Sequence, residues 1–237
     1  MRRVSRMVGL VAIAALVPFG GESPLTAAQS PVASPPAASP DLLLTGATVT
    51  HDTDLGLLIF EQQVEGTAGA AVPTPAGQLD GAPVFAHVFP TTLSPTAGGF
   101  FEVDGILALV GTSHPGFGDT PLWDENLDGI YDNDGVVYHT HWVVVGPDER
   151  VPGGLAVLEF HSNGPAVTLP PTAPGMPMYM DSPGFAVQAS GDTIKAIAPV
   201  DRVGNQTEFN YDAVTAYLEV NTSDPNRPML GVYAVYS

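Results

Sequence analysis

Residues 136–161 read VVYHTHWVVVGPDERVPGGLAVLEFH, in which two apolar runs flank a stretch rich in Gly and Pro. Runs of β-branched and aromatic residues favour strands, and the residues between them favour a turn. The two runs are therefore predicted to pair as an antiparallel hairpin. Because side chains alternate along a strand, Trp142 and Leu158 share one face suited to a hydrophobic core, whereas Val143 faces the other way.

The second face of this hairpin carries three histidines and a glutamate. With a turn centred at Arg150, His139 lies opposite His161, and His141 lies opposite Glu159. Directly opposed Cβ atoms are ~4.5–5.5 Å apart. One ion with ligand bonds of ~2.0–2.2 Å could bridge such a set. The spacing predicts a transition-metal site for zinc or copper; the alternative is that these histidines form hydrogen bonds within the fold.

Two further histidines are candidate ligands. His87 lies in the apolar run VFAHVFP, where a single histidine more often completes a hydrogen bond inside the core. His114 begins a stretch, residues 114–135, that returns the chain to the hairpin. It is therefore kept as a candidate metal ligand.

Short β-type runs alternate with Gly, Pro and Asp turns after residue 41, and no long stretch has helical periodicity. This pattern predicts an all-β fold: a single sandwich or barrel domain of about ten short strands. Two long loops, 114–135 and 165–183, interrupt it, and SGDT at 190–193 predicts a hairpin turn. The predicted strands are 47–50, 56–64, 84–89, 100–110, 136–145, 155–161, 184–189, 193–199, 213–220 and 229–236.

The first residues, MRRVSRMVGLVAIAALVPFG, contain three arginines and then an apolar stretch too short to span a bilayer. Residues 1–28 are predicted to be a secretory signal peptide, with export to the periplasm or the extracellular space by the general or the twin-arginine route. Residues 29–41 are rich in Pro, Ala and Ser and predict a flexible tether. Residues 42–237 form the predicted metal-binding domain, with no membrane insertion after the signal is removed.

The net charge of the chain limits which molecules it is expected to bind, and its lack of cysteine limits how it can be stabilised. Three of the seven basic residues and one of the 25 acidic residues precede residue 29, so the exported chain has a net charge of about −20. Such a surface repels nucleic acid and attracts cations, so metal ions are the expected partners. The chain has no cysteine. Its stability outside the cytoplasm must come from its core and from bound metal.

An aspartate-rich stretch, DENLDGIYDND at residues 124–134, has the ligand order of an EF-hand-type calcium loop. Position twelve of that motif would be Gly135 where a bidentate acid is usual, so Asp134 or a distant carboxylate must close the site. The alternative is an acidic loop without metal. The predicted oxygen ligands for calcium are Asp124, Asn126, Asp128, the Ile130 carbonyl, Asp132 and Asp134.

Three methionines alternate in GMPMYMD, residues 175–181. In an extended segment, Met176, Met178 and Met180 point to one side, and thioethers are soft donors suited to Cu(I). They are candidate soft-metal ligands; the alternative is that they pack over the barrel.

The stretch SHPGFGDTPLWDENLDGIYDNDGVVYHTHWVVV, residues 113–145, resembles segments of uncharacterised exported bacterial β-proteins thought to bind metals. HTHW followed by EFH is similar to the zinc motif of α-carbonic anhydrases, and His139, His141, Glu159 and His161 are the ligand types of cupins. The sequence departs from both patterns, because the glutamate lies too late for a cupin and the hydroxide-orienting threonine of a carbonic anhydrase is missing. The resemblance implies metal binding, and it does not indicate which reaction, if any, the protein catalyses.

Three functions are open at this point. The first is a metal-binding protein that buffers or delivers zinc or copper and carries a structural calcium loop. The second is a metalloenzyme, a zinc-dependent hydratase or hydrolase or a cupin-like redox enzyme, with Glu159 as general base or as the residue that orients His141. The third is a calcium-stiffened adhesion domain in which the histidines are incidental. The cluster of metal-ligating residue types favours the first.

Overall fold

The computed structural model describes residues 34–74, 76, 78–114, 136–161, 164 and 167–236. The predicted signal peptide and the aspartate-rich stretch 124–134 lie outside these residues. Within the described ranges, no helix is long and apolar enough to cross a membrane.

The described residues confirm the predicted all-β fold. Each predicted strand has a counterpart, and an additional two-residue strand, Met180–Asp181, lies inside the stretch 165–183 that was predicted to be a loop. Short 3₁₀ turns occur at Pro40–Leu42, Pro95–Gly98 and Val200–Val203. The strands are β1 Leu44–Asp52, β2 Leu57–Val64, β3 Pro83–Pro90, β4 Ile106–Ser113, β5 His139–Pro147, β6 Leu155–Val157, β7 Met180–Asp181, β8 Ala186–Ser190, β9 Thr193–Pro199, β10 Val214–Val220 and β11 Leu230–Val235.

Six of these strands form a closed antiparallel barrel. Their order is β4-β3-β10-β11-β6-β5, and pairing of β5 with β4 closes the circle. Strand β7 pairs with β5 beside the barrel, and the remaining four strands form a second sheet in the order β1-β2-β9-β8. The predicted turn at 190–193 joins β8 to β9, with Gly191 at a φ of 62°, a backbone conformation that glycine adopts readily.

The barrel wall formed by β4 and β5 is buried on both faces, which explains the unbroken valine run of β5. Leu109, Trp142 and Val144 face outward and pack against Phe60 and Ala198 of the four-stranded sheet. The rings of Phe60 and Trp142 meet edge to face, with centroids 6.4 Å apart. This outer layer is the largest part of the hydrophobic core.

The other face of the wall lines the inside of the barrel. Its side chains are mainly Val, Ala and Leu, and they enclose a cavity of about 90 Å³. Among the described residues that line it, only Thr112 and His141 are polar. An apolar lining offers water few hydrogen-bond partners, so polar groups that border the cavity are poorly solvated there.

The predicted register between the strands at 136–145 and 155–161 is wrong. Val145 pairs with Val157 and Gly146 with Ala156, which centres the turn at Val151. The second strand also ends at Val157, because β7 occupies the next position along the same edge of β5. The predicted opposition of His139 with His161, and of His141 with Glu159, therefore does not occur.

Candidate metal centre

Strands β4 and β5 place three histidines on the inner face of the barrel wall. Thr112 pairs with His139 and Val110 with His141, and paired residues of adjacent strands point to the same side. His114 directly follows β4, two residues after Thr112, so the alternation of β4 brings it to the same face. The pairing of β4 with β5 therefore brings the three imidazoles together on one side of the barrel wall.

The three imidazoles converge at short range. His114, His139 and His141 are 2%, 5% and 2% exposed, and each offers one ligand atom within 4.8 Å of the other two. The Nε2 atoms of His114 and His139 are 3.0 Å apart. The rings of His139 and His141 meet edge to face, with centroids 4.7 Å apart. Among the described residues, this cluster could hold a metal ion.

Hydrogen bonds at the far side of two rings fix their orientation. Nδ1 of His139 lies 2.7 Å from the Val137 carbonyl, which can only accept, so this nitrogen carries the proton. Nε2 is the nitrogen of this ring that faces His114. Nδ1 of His141 lies 3.0 Å from the hydroxyl of Ser182, a buried residue directly after β7. Such outer partners are typical of histidines that bind metals.

The 3.0 Å separation suits both a proton and a metal. Without an ion, a hydrogen bond joins the two Nε2 atoms across this distance. Two nitrogens on one tetrahedral ion with bonds of ~2.0–2.1 Å are roughly 3.3 Å apart, so a small adjustment accommodates the ion. Loading the site displaces the proton of that hydrogen bond. Three protein ligands leave a fourth coordination position for a further donor.

Ser182 is held in place by its neighbours. Its amide donates to the Thr172 carbonyl at 3.2 Å, and the hydroxyl of Thr172 donates to Asp181 at 2.7 Å. Burial raises the pKa of the Asp181 carboxyl. These bonds tie the segment that carries Ser182 to Thr172, and the pairing of Asp181 with Trp142 keeps it beside β5.

The predicted methionines lie beside the cluster. Met176, Met178 and Met180 line a small cavity together with Thr112, His114 and His141. Thr112 also approaches the cluster directly, with its hydroxyl 3.5 Å from Nε2 of His139.

Glu159 and His161 lie elsewhere, because the chain leaves β5 after Val157. Glu159 accepts hydrogen bonds from Arg150 at 3.2 Å and from the Met229 amide at 2.8 Å. His161 is exposed and lines the same polar surface pocket as Arg150 and Glu159. The structure thus brings neither residue to the histidine cluster, and Glu159 is not in position to act there as a general base.

His87 is on the opposite face of the barrel wall. Its Nδ1 lies 2.8 Å from Oε1 of Gln62 in the four-stranded sheet. The Gln62 amide nitrogen donates to the Val88 and Val214 carbonyls, so its oxygen must accept from His87. Burial lowers the pKa of His87 to about 4. This histidine is therefore neutral and is not part of the cluster.

The predicted calcium ligands, Asp124 to Asp134, lie outside the described residues, and calcium binding there stays a prediction. Sequence reasoning missed Ser182 and Thr112 as neighbours of the cluster. For Thr112 a signal exists, since it lies two residues before His114 in the alternation of one strand. Ser182 has no such signal, because only the non-local pairing of β7 with β5 brings it near.

Comparison of the chain with protein-family models, with curated proteins and with solved structures finds no match. The functional conclusion therefore depends on the geometry of the site itself.

Proposed function

We propose that this protein is an exported metal-binding protein that holds zinc or copper on His114, His139 and His141 and serves to buffer or deliver that metal. The observation that carries this proposal is the convergence of three buried imidazoles, two of them with Nε2 atoms 3.0 Å apart. Three imidazoles whose ligand atoms lie within 4.8 Å of one another offer a single ion one common position, which is the arrangement that a three-histidine metal site requires.

Two features of the sequence support the cellular setting. The N-terminal segment has the composition of a signal peptide, which supports export to the periplasm or the extracellular space. The large negative charge of the remaining chain attracts cations and raises their local concentration. Calcium bound by the stretch 124–134 would be a second, structural ion.

The test is the metal content of the chain from residue 29 onward, purified without added metal and after exposure to zinc or copper. We expect one tightly held transition-metal ion per chain, released in His114→Ala, His139→Ala and His141→Ala. His161→Ala is the matched control, since that exposed histidine lies outside the cluster. Unchanged metal content in all four variants contradicts the proposal.

A metalloenzyme is the second candidate, and one observation favours it: His141 also borders the barrel cavity of about 90 Å³. Zinc lowers the pKa of its bound water to ~7, so a small substrate in that cavity would be near a nucleophile. Assays of carbon dioxide hydration and ester hydrolysis by the zinc-loaded protein test this function. Activity that is lost in His139→Ala, with unchanged activity in His161→Ala, would favour the enzyme.

A further inference from the structure

The methionine segment is fixed in the barrel wall by backbone hydrogen bonds on both sides. The Tyr179 amide donates to the Leu158 carbonyl at 2.9 Å, and the Val144 amide donates to the Tyr179 carbonyl at 3.0 Å. The Phe160 amide donates to the Pro177 carbonyl at 2.9 Å. Residues 176–180 therefore lie between β5 and the chain that follows β6, and their side chains have a defined direction.

That direction separates the aromatic residue of the segment from the three methionines. Tyr179 points outward, where it packs against the core between the barrel and the four-stranded sheet and meets Phe100 edge to face. Met176, Met178 and Met180 point inward and pack in the apolar cluster of the barrel interior. Met178 and Met180 are 1% and 5% exposed.

The inward side is also the side of the histidines. All three methionines line one small cavity with His114 and His141. The only other methionine after residue 28, Met229, does not line this cavity. Leucine would fill an apolar barrel equally well, so the placement of three thioethers beside imidazoles indicates a role for sulfur.

We propose that the metal of this site is Cu(I), with a thioether of Met176, Met178 or Met180 as the fourth ligand beside the three imidazoles. This inference rests on the proposed function and specifies its metal. Soft thioether donors select Cu(I), whereas imidazole accepts zinc and copper alike. The apolar lining of the interior acts in the same direction, because a monovalent ion loses less hydration energy on burial than a divalent ion.

The experiment measures two affinities for each variant of the chain from residue 29 onward. Cu(I) is titrated anaerobically with ascorbate against bicinchoninate, and zinc is titrated against a chromophoric zinc chelator. The variants are Met176→Leu, Met178→Leu and Met180→Leu, with Met229→Leu as the matched control. Methionine-to-leucine changes nearly conserve side-chain volume, so the fold should be retained in each variant.

We expect at least one of the three cavity variants to lose tenfold or more in Cu(I) affinity while its zinc affinity changes by less than threefold. Met229→Leu should change neither. Copper K-edge X-ray absorption of the wild-type protein should also contain a sulfur contribution, which is absent from the affected variant.

Equal Cu(I) affinity in all four variants, together with a copper spectrum without sulfur, overturns this inference while the proposed metal function stands on its zinc binding. If wild type binds neither ion, the proposed function fails as well. The two failures are therefore distinguishable.

Discussion

His87 and His141 are equally buried, at 2% exposure each, yet they lie in different surroundings on opposite faces of one barrel wall. His87 faces the four-stranded sheet, where the amide of Gln62 binds one of its nitrogens. Its Nε2 has no hydrogen-bond partner among the described residues. His141 faces inward and meets two other imidazoles.

The difference between them shows that burial alone does not identify a metal ligand. A single imidazole satisfied at one nitrogen is tolerated in a core as a neutral group, with a lowered pKa as the consequence. Three imidazoles that converge share a common position for an electron-pair acceptor. Convergence is the property that the proposed function depends on.

The largest expected effect is metal-dependent stability. Zinc at a thousand times its dissociation constant should raise the free energy of unfolding by about 4 kcal/mol, because the ion binds only the folded chain. His139→Ala should abolish this increase and His87→Gln should retain it. Urea unfolding of each variant with and without zinc measures the increase, and an equal response of the two variants would contradict the assignment.

The second effect is the pH dependence that His87 contributes. Its pKa is about 4 in the folded protein and ~6.5 in the unfolded chain, so the unfolded chain binds the proton more strongly. Stability is therefore lost as the pH falls from 6.5 to 4, by about 3 kcal/mol at the lower end.

His87→Gln removes this contribution while all other titrating groups stay in place. We expect the change in unfolding free energy between pH 7 and pH 4 to be about 3 kcal/mol smaller in the variant than in wild type. Urea unfolding of the metal-free proteins at the two pH values gives the comparison. Parallel pH profiles would mean that His87 is protonated as easily in the folded protein as in the unfolded chain.

The smallest effect concerns the outer partner of His141. Ser182→Ala removes the hydroxyl 3.0 Å from Nδ1 and should weaken zinc binding about tenfold, with the ligands themselves intact. Ser190→Ala, at the end of the exposed strand β8, is the control. A zinc affinity within twofold of wild type in both variants would show that Ser182 does not orient the ring.

The fold was predictable because its signals are local. The alternation of side chains and the turn residues between runs indicated the strands. The sequence SGDT at 190–193 was sufficient to predict the two-residue turn at Gly191. The strand Met180–Asp181 was not predictable, since two residues in a Pro-rich stretch carry no strand signal of their own. Its position depends on an edge of β5 that becomes available only where β6 ends.

The site was predictable in part, for the same reason. The alternation of His139 and His141 is local and holds in the structure. The predicted partners across the hairpin, Glu159 and His161, depended on the second strand continuing beside β5, but β6 ends at Val157 and β7 takes the next position on that edge. His114 reaches the cluster because β4 pairs with β5. The sequence did not predict this pairing; it indicated only that the stretch after His114 leads back to the hairpin.

The hydrogen bonds of Gln62 affect how the protein unfolds. One amide side chain from the four-stranded sheet contacts a barrel histidine and the carbonyls of two barrel strands, Val88 and Val214. Separating the barrel from the four-stranded sheet would break these hydrogen bonds and leave several buried polar groups without partners at once. The two layers are thus expected to melt together, in a single calorimetric transition.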